Sequence, residues 1–199
     1  MDRRVLFTGL GALVAGTAMG APAFAQTQPM PMMGERMGPD EATHMKQILA
    51  VGSLSLLASR MAVKMVTNRK LLEFVKFEVA EQEIVADILM GMMKSPAMAM
   101  GTVTPPTDDQ ARANLDQDGM DQLSKLQGMS GTAFEKTYVQ AEIDGHQKLL
   151  DIQNTYLGAG KNREELNVAK LAKGMIMEHL QLLSDLQSMK MRKRDAAST

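Results

Sequence analysis

The chain has 199 residues, 45% hydrophobic and 23% charged, with a formal net charge of −1, 20 Met, five Phe, two Tyr and neither Cys nor Trp. Near-neutrality leaves no field to hold a polyanion, which argues against nucleic-acid binding. The lack of Cys excludes disulfides, thiol catalysis and Cys-ligated zinc or iron–sulfur sites, and so few aromatic and β-branched residues favour a helical core of Leu, Met and Ala over a sheet.

Residues 1–25 read as an export signal peptide. Arg3 and Arg4 are its basic start, an uncharged stretch runs from Val5 to Met19, and Ala23-Phe24-Ala25 gives the small-x-small cleavage pattern. The uncharged stretch is shorter than the roughly 20 apolar residues of a membrane span. No later apolar run is expected to reach that length. The mature chain, from about Gln26, is therefore expected in the periplasm or otherwise exported, without a membrane span. Residues 26–40 (QTQPMPMMGERMGPD) are too rich in Pro and Gly for a regular element and read as a disordered Met/Pro-rich linker.

From Glu41 the pattern turns helical. Ile48, Val51, Leu54, Ala58, Met61 and Met65 recur at spacings of three and four and predict a first long helix over about 41–66. Thr67 is the expected N-cap of a second, over about 68–93, with Leu71, Val75, Val79, Val85, Leu89 and Met92 inward. Residues 94–118 form a polar crossover holding Pro105-Pro106, with a short helix near 108–114 and another at about 119–127. A third long helix follows at about 131–157, with Phe134, Tyr138, Ala141, Gly145, Leu149, Ile152 and Tyr156 on one face, stopped by Gly158 and Gly160. Asn162 with Glu165 resembles a capping box that starts a fourth, reaching about 191, with Leu166, Ala169, Ala172, Ile176, His179, Leu183 and Leu186 inward. Two tight helix hairpins joined by one long crossover predict an all-α four-helix bundle over 41–191, with a basic flexible tail at 192–199.

Polar residues on the predicted buried stripes are the candidate site. Glu78 and Gln82 keep register with Leu71, Val75, Val85 and Leu89. Glu142 and His146 lie four apart on the third long helix, and His179 sits mid-stripe on the fourth with Glu178 beside it. Carboxylates and imidazoles facing one another in a bundle core are how such folds hold iron, manganese or zinc. A hydrogen-bonded polar layer that fixes helix register would use the same residue types. Glu142, His146 and His179 must lie within about 6 Å of one another to share one ion. The first helix offers Ser53 and Ser55 but no inward carboxylate, and His44, near its start, is expected at the surface.

Met30, Met32, Met33 and Met37 in the linker form a second candidate, with a further cluster at Met90, Met92, Met93, Met98 and Met100. Thioethers are soft ligands that select Cu(I); within helices, Met more commonly fills core space, which suits Met61, Met65 and Met175. No G-x-S-x-G, P-loop or dinucleotide fingerprint is present.

The run Leu123-Ser124, Leu126, Gly131-Thr132-Ala133-Phe134-Glu135, Tyr138 and His146, followed by Ala172 and His179-Leu180, resembles the domain of unknown function 4142 family over about residues 41–188. The resemblance implies an exported bacterial protein with a ferritin-like four-helix bundle. It implies histidines on the third and fourth long helices, matched by His146 and His179. It also implies an acidic residue on the first helix and an Asp-His pair on the second, where this chain places Ser53 and Glu81-Gln82. The expectation is an exported non-catalytic bundle with an envelope-stress or interaction role and a protein partner. One rival is a metal-binding protein or oxidase using Glu78, Glu142, His146 and His179, with Gln82 as a donor behind them. The other is Cu(I) binding by the linker methionines.

Overall fold

The computed structural model describes residues 38–93 and 101–196, with side chains to residue 188. The described residues form six helices and no strand: α1 (Pro39–Met65), α2 (Arg69–Met93), α3 (Asp108–Arg112), α4 (Gln117–Gln127), α5 (Gly131–Ala159) and α6 (Arg163–Ala196). The protein is all-helical, as its composition predicts. Positions 1–37 and 94–100 lie outside the described residues, and with them the signal, the methionines at 30, 32, 33 and 37, and Met98 and Met100.

Several boundaries differ from the sequence reading. α1 starts at Pro39, inside the stretch read as linker, because proline suits the first helical position. α6 continues through the basic residues to Ala196, past the predicted end at 191. Asn68, not Thr67, caps α2: its Oδ1 accepts from the amides of Lys70 (3.1 Å) and Leu71 (3.3 Å). Gly158 stays inside α5. The helix stops at Gly160, where an added Cβ would sit 2.5 Å from the Tyr156 ring, so only glycine fits.

α1 packs along both α2 and α5, α5 packs along α6, α2 touches α6, and the crossover helices α3 and α4 lie against α1. Covered on several sides, α1 is apolar nearly all round. It is long and apolar enough to cross a membrane, contrary to expectation, yet 61% of that stretch is buried against the other helices, as in a core helix.

The apolar core divides in two. One cluster holds Ala58 and Ala62 of α1, Leu71, Phe74 and Val75 of α2, Phe134 and Tyr138 of α5, and Leu183 and Leu186 of α6. The other holds Met45, Ile48 and Val51, Ala86 and Leu89, Leu149, and Ala172 and Ile176 of the same four helices. Met61 and Met65 pack against the first cluster, and Met90 and Met92 against the second, so these methionines are core material. α1 and α6 run from the second cluster to the first, whereas α2 and α5 run the opposite way. On each of these helices the residues between the clusters include buried polar ones: Ser55, Glu78, Glu142 with His146, and His179.

The turn between α1 and α2 is tied to α5 by Glu135, whose Oε1 accepts from Thr67 N (2.9 Å), Thr67 Oγ1 (3.1 Å) and Asn68 N (3.0 Å). Glu135→Ala strips acceptors from amides that no helix satisfies, and is expected to cost about 1–2 kcal/mol. Urea denaturation checks this; an unchanged midpoint would mean that water replaces the carboxylate.

Candidate metal centre

Each inward polar residue is placed by its helix register between the two apolar clusters. Glu78 is fully buried, His146 is 1% exposed and His179 5%. Glu78 Oε2 lies 2.8 Å from His179 Nδ1 and 3.3 Å from His146 Nε2, and the two ring nitrogens are 3.0 Å apart. With metal–ligand bonds of about 2.0–2.2 Å, neighbouring ligand atoms around one ion stand roughly 3 Å apart. The three atoms therefore have the spacing of ligands on one face of a coordination shell. They are the one group of this kind among the described residues.

The hydrogen bonds around the trio fix which nitrogens point inward. His146 Nδ1 lies 2.8 Å from the carbonyl oxygen of Glu142. A carbonyl only accepts, so Nδ1 donates and Nε2 turns toward the cluster. His179 faces a carboxylate on each edge, with Nδ1 toward the cluster and Nε2 2.9 Å from Glu81 Oε2, so Glu81 is the partner for an Nε2 proton when Nδ1 holds an ion. Glu78 Oε1 accepts from Ser55 Oγ at 2.6 Å and from Gln82 Nε2 at 2.9 Å. Glu78 Oε2 has no aligned hydrogen-bond donor despite complete burial. A buried, orphaned carboxylate oxygen facing two imidazole nitrogens is a set of donors for a cation. Phe74 closes the site, its ring centroid 5.2 Å from that of His179 and 6.4 Å from that of His146.

Glu142 stands outside the trio. Its Oε2 is 2.7 Å from Ser55 Oγ and 3.6 Å from His146 Nδ1, and its Oε1 is 3.4 Å from Ser59 Oγ. The Ser55 hydroxyl has one proton and two carboxyl neighbours, so one carboxyl must supply a proton of its own. Burial, followed by the charge of Glu78, pushes the Glu142 carboxyl up to about 8, which makes it the donor to Ser55 at neutral pH. Burial also works against the Glu78 charge, but the imidazoles of His146 and His179 beside it outweigh burial and hold Glu78 far below the usual carboxylate range. For His146 burial is likewise overcome, by Glu78 and then Glu142, and its imidazole is pushed up to about 9.

Of the four predicted candidates, the structure thus gathers Glu78, His146 and His179, with Glu142 reached through Ser55. Gln82 donates to Glu78, and Glu178 is exposed. On α1 it is Ser55 that faces the site; Ser53 instead accepts from Asn114 Nδ2 at 3.0 Å. Glu81, beside Gln82, is a partner of His179 that helix register alone does not disclose.

His44 is not a surface residue: it is 3% exposed, with Nδ1 2.6 Å from Glu165 Oε1 and Nε2 3.0 Å from Gln153 Oε1. Its ring stacks on Tyr156 at 4.0 Å, and the Tyr156 hydroxyl donates to Glu41 Oε1 at 3.2 Å. Glu41 is itself buried, so α1 does carry an inward carboxylate, in its first turn. Asn162 Oδ1 caps α6 through the amides of Glu164 (3.0 Å) and Glu165 (3.1 Å), while the Glu165 side chain turns inward to His44.

The family model described as a domain of unknown function, number 4142, matches residues 26–189. No curated protein and no solved structure matches the chain.

Proposed function

The chain belongs to the domain of unknown function 4142 family, and from the geometry of its core we propose that it is a metal-binding protein holding one divalent transition-metal ion on Glu78, His146 and His179. One observation carries the reading: the orphaned Glu78 Oε2 and two inward-turned ring nitrogens lie 2.8–3.3 Å apart in a layer sealed by apolar clusters. Two histidines and one carboxylate with open positions suit iron(II), and zinc or manganese as well. The hairpin connections support a ferritin-like four-helix bundle as the frame, and residues 1–25 support export to the periplasm. The three side chains project from α2, α5 and α6 into one buried layer. Binding is the function proposed, with no reaction assigned.

Elemental analysis of full-length protein purified from its native compartment, together with titration of the metal-free chain with Co(II) and Zn(II), tests the proposal. One ion per chain is expected. His146→Ala and His179→Ala are each expected to weaken binding by more than about 100-fold, beyond the usual effect of losing an outer partner. A far sub-stoichiometric metal content, with no uptake on titration, would sink the proposal. Copper lost only on deleting residues 26–40 would favour the linker methionines instead.

A further inference from the structure

All three ligand side chains are buried, so an ion needs a path to them. Two cavities border the polar layer. The first, about 10 Å³, lies between α1 and α2 and touches only Gln82 of the site residues; it has room for a single water at most. The second, about 170 Å³, opens between α1, α4 and α5, and its lining includes Ser55 and Glu142. Ser55 Oγ is 2.6 Å from Glu78 Oε1. One hydroxyl group therefore separates this cleft from the carboxylate of the trio.

The cleft also has the chemistry of a cation path. Asp116, Asp118 and Asp144 are exposed around it, against a single base, Lys148. Carboxylates at the mouth of a low-dielectric cleft raise the local concentration of cations. Farther in, Ser55 and Glu142 offer oxygen atoms that can replace waters shed by the ion. We propose that the cleft between α1, α4 and α5 is the route by which a divalent cation reaches Glu78, His146 and His179, with Ser55 and Glu142 as its inner gate. This rests on the metal-binding reading above.

Gly145, on the cleft wall, provides the test. A Cβ there would meet only Val51 Cγ1, at 3.8 Å, so the larger side chain of Gly145→Leu can extend into the cleft. Stopped-flow mixing of the full metal-free chain with Co(II), followed by its visible absorption, reads the association rate. Gly145→Leu is expected to slow association at least about tenfold while stoichiometry and equilibrium affinity stay native, as blocking a path changes a rate and leaves the bound state alone. Asp118→Asn/Asp144→Asn alters only exposed residues and remains decisive if the leucine variant does not fold. It is expected to slow association about three- to tenfold at low salt, a difference that fades at high salt. Gly174→Leu on α6, where nothing lies within 4 Å of an added Cβ, is expected to bind at the native rate. Native rates in both cleft variants, with native stoichiometry, would overturn the route and leave the site standing. Absence of Co(II) uptake by the unaltered chain would overturn both.

Discussion

Glu165→Ala is expected to destabilise the chain by about 2–4 kcal/mol, because it removes a buried acceptor and leaves a void beside His44. Glu165 is fully buried where the starts of α1 and α6 meet the end of α5, 2.6 Å from His44 Nδ1. For a domain of this size the melting temperature should fall by roughly 4–16 °C. The same cluster already contains two buried polar atoms without partners, Glu165 Oε2 and Gln153 Nε2. His44→Leu/Glu165→Leu, which removes both partners of the contact, should therefore recover most of the loss. Urea denaturation of the native chain, Glu165→Ala and the double variant checks the claim. A double variant as unstable as Glu165→Ala would show that the broken polar pair does not set the cost.

The second large effect concerns pH. In the metal-free chain Glu142 is raised from the ordinary carboxylate value of 4.5 to about 8. Between those limits the unfolded chain has lost the proton and the folded chain keeps it, so stability falls as pH rises through the window. His146, raised from 6.5 to about 9, has the same sign: its contribution is complete below 6.5 and is lost as pH rises through about 9. Glu78, lowered, acts oppositely, with stability present above 4.5 and lost in acid. The metal-free protein should accordingly weaken from about pH 5 to pH 9. Glu142→Gln keeps a neutral donor toward Ser55 and removes the ionisation. The variant should lose on the order of 2–4 kcal/mol less than the native chain across that range. Urea midpoints at pH 5 and pH 9 with a chelator present measure the difference. Parallel losses in the two chains would show that Glu142 is not the group responsible.

The helices and most of the site were legible in the sequence because their signals are local. Glu78, His146 and His179 sit in three- and four-residue register with apolar neighbours, and register alone places them inward. α1 was harder. Its predicted stripe ran through Leu54 and Met61, whereas Ser55, Ser59 and Ala62 face the core centre and Leu54 and Met61 pack toward α3 and α4. A helix covered on several sides has weak periodicity, so its phase is hard to read, and the sequence offers Ser53 and Ser55 without separating them. His44 was missed for a different reason. Its partners Gln153 and Glu165 lie 109 and 121 residues away, and nothing near it in sequence marks a first-turn histidine as buried. Glu81 went unread as a partner of His179 because α2 touches α6 only in the folded chain.

The three proposed ligands come from helices far apart in the chain: Glu78 from the hairpin of α1 and α2, His146 and His179 from that of α5 and α6. Neither hairpin alone contains the set, so the site exists only after the two have docked. An unfolded chain has no such arrangement with which to retain an ion. On the proposed metal-binding reading, the ion acquired is then decided by the ion pool in which the chain finishes folding. Selectivity that three common ligands cannot supply by affinity alone would come from the timing of assembly.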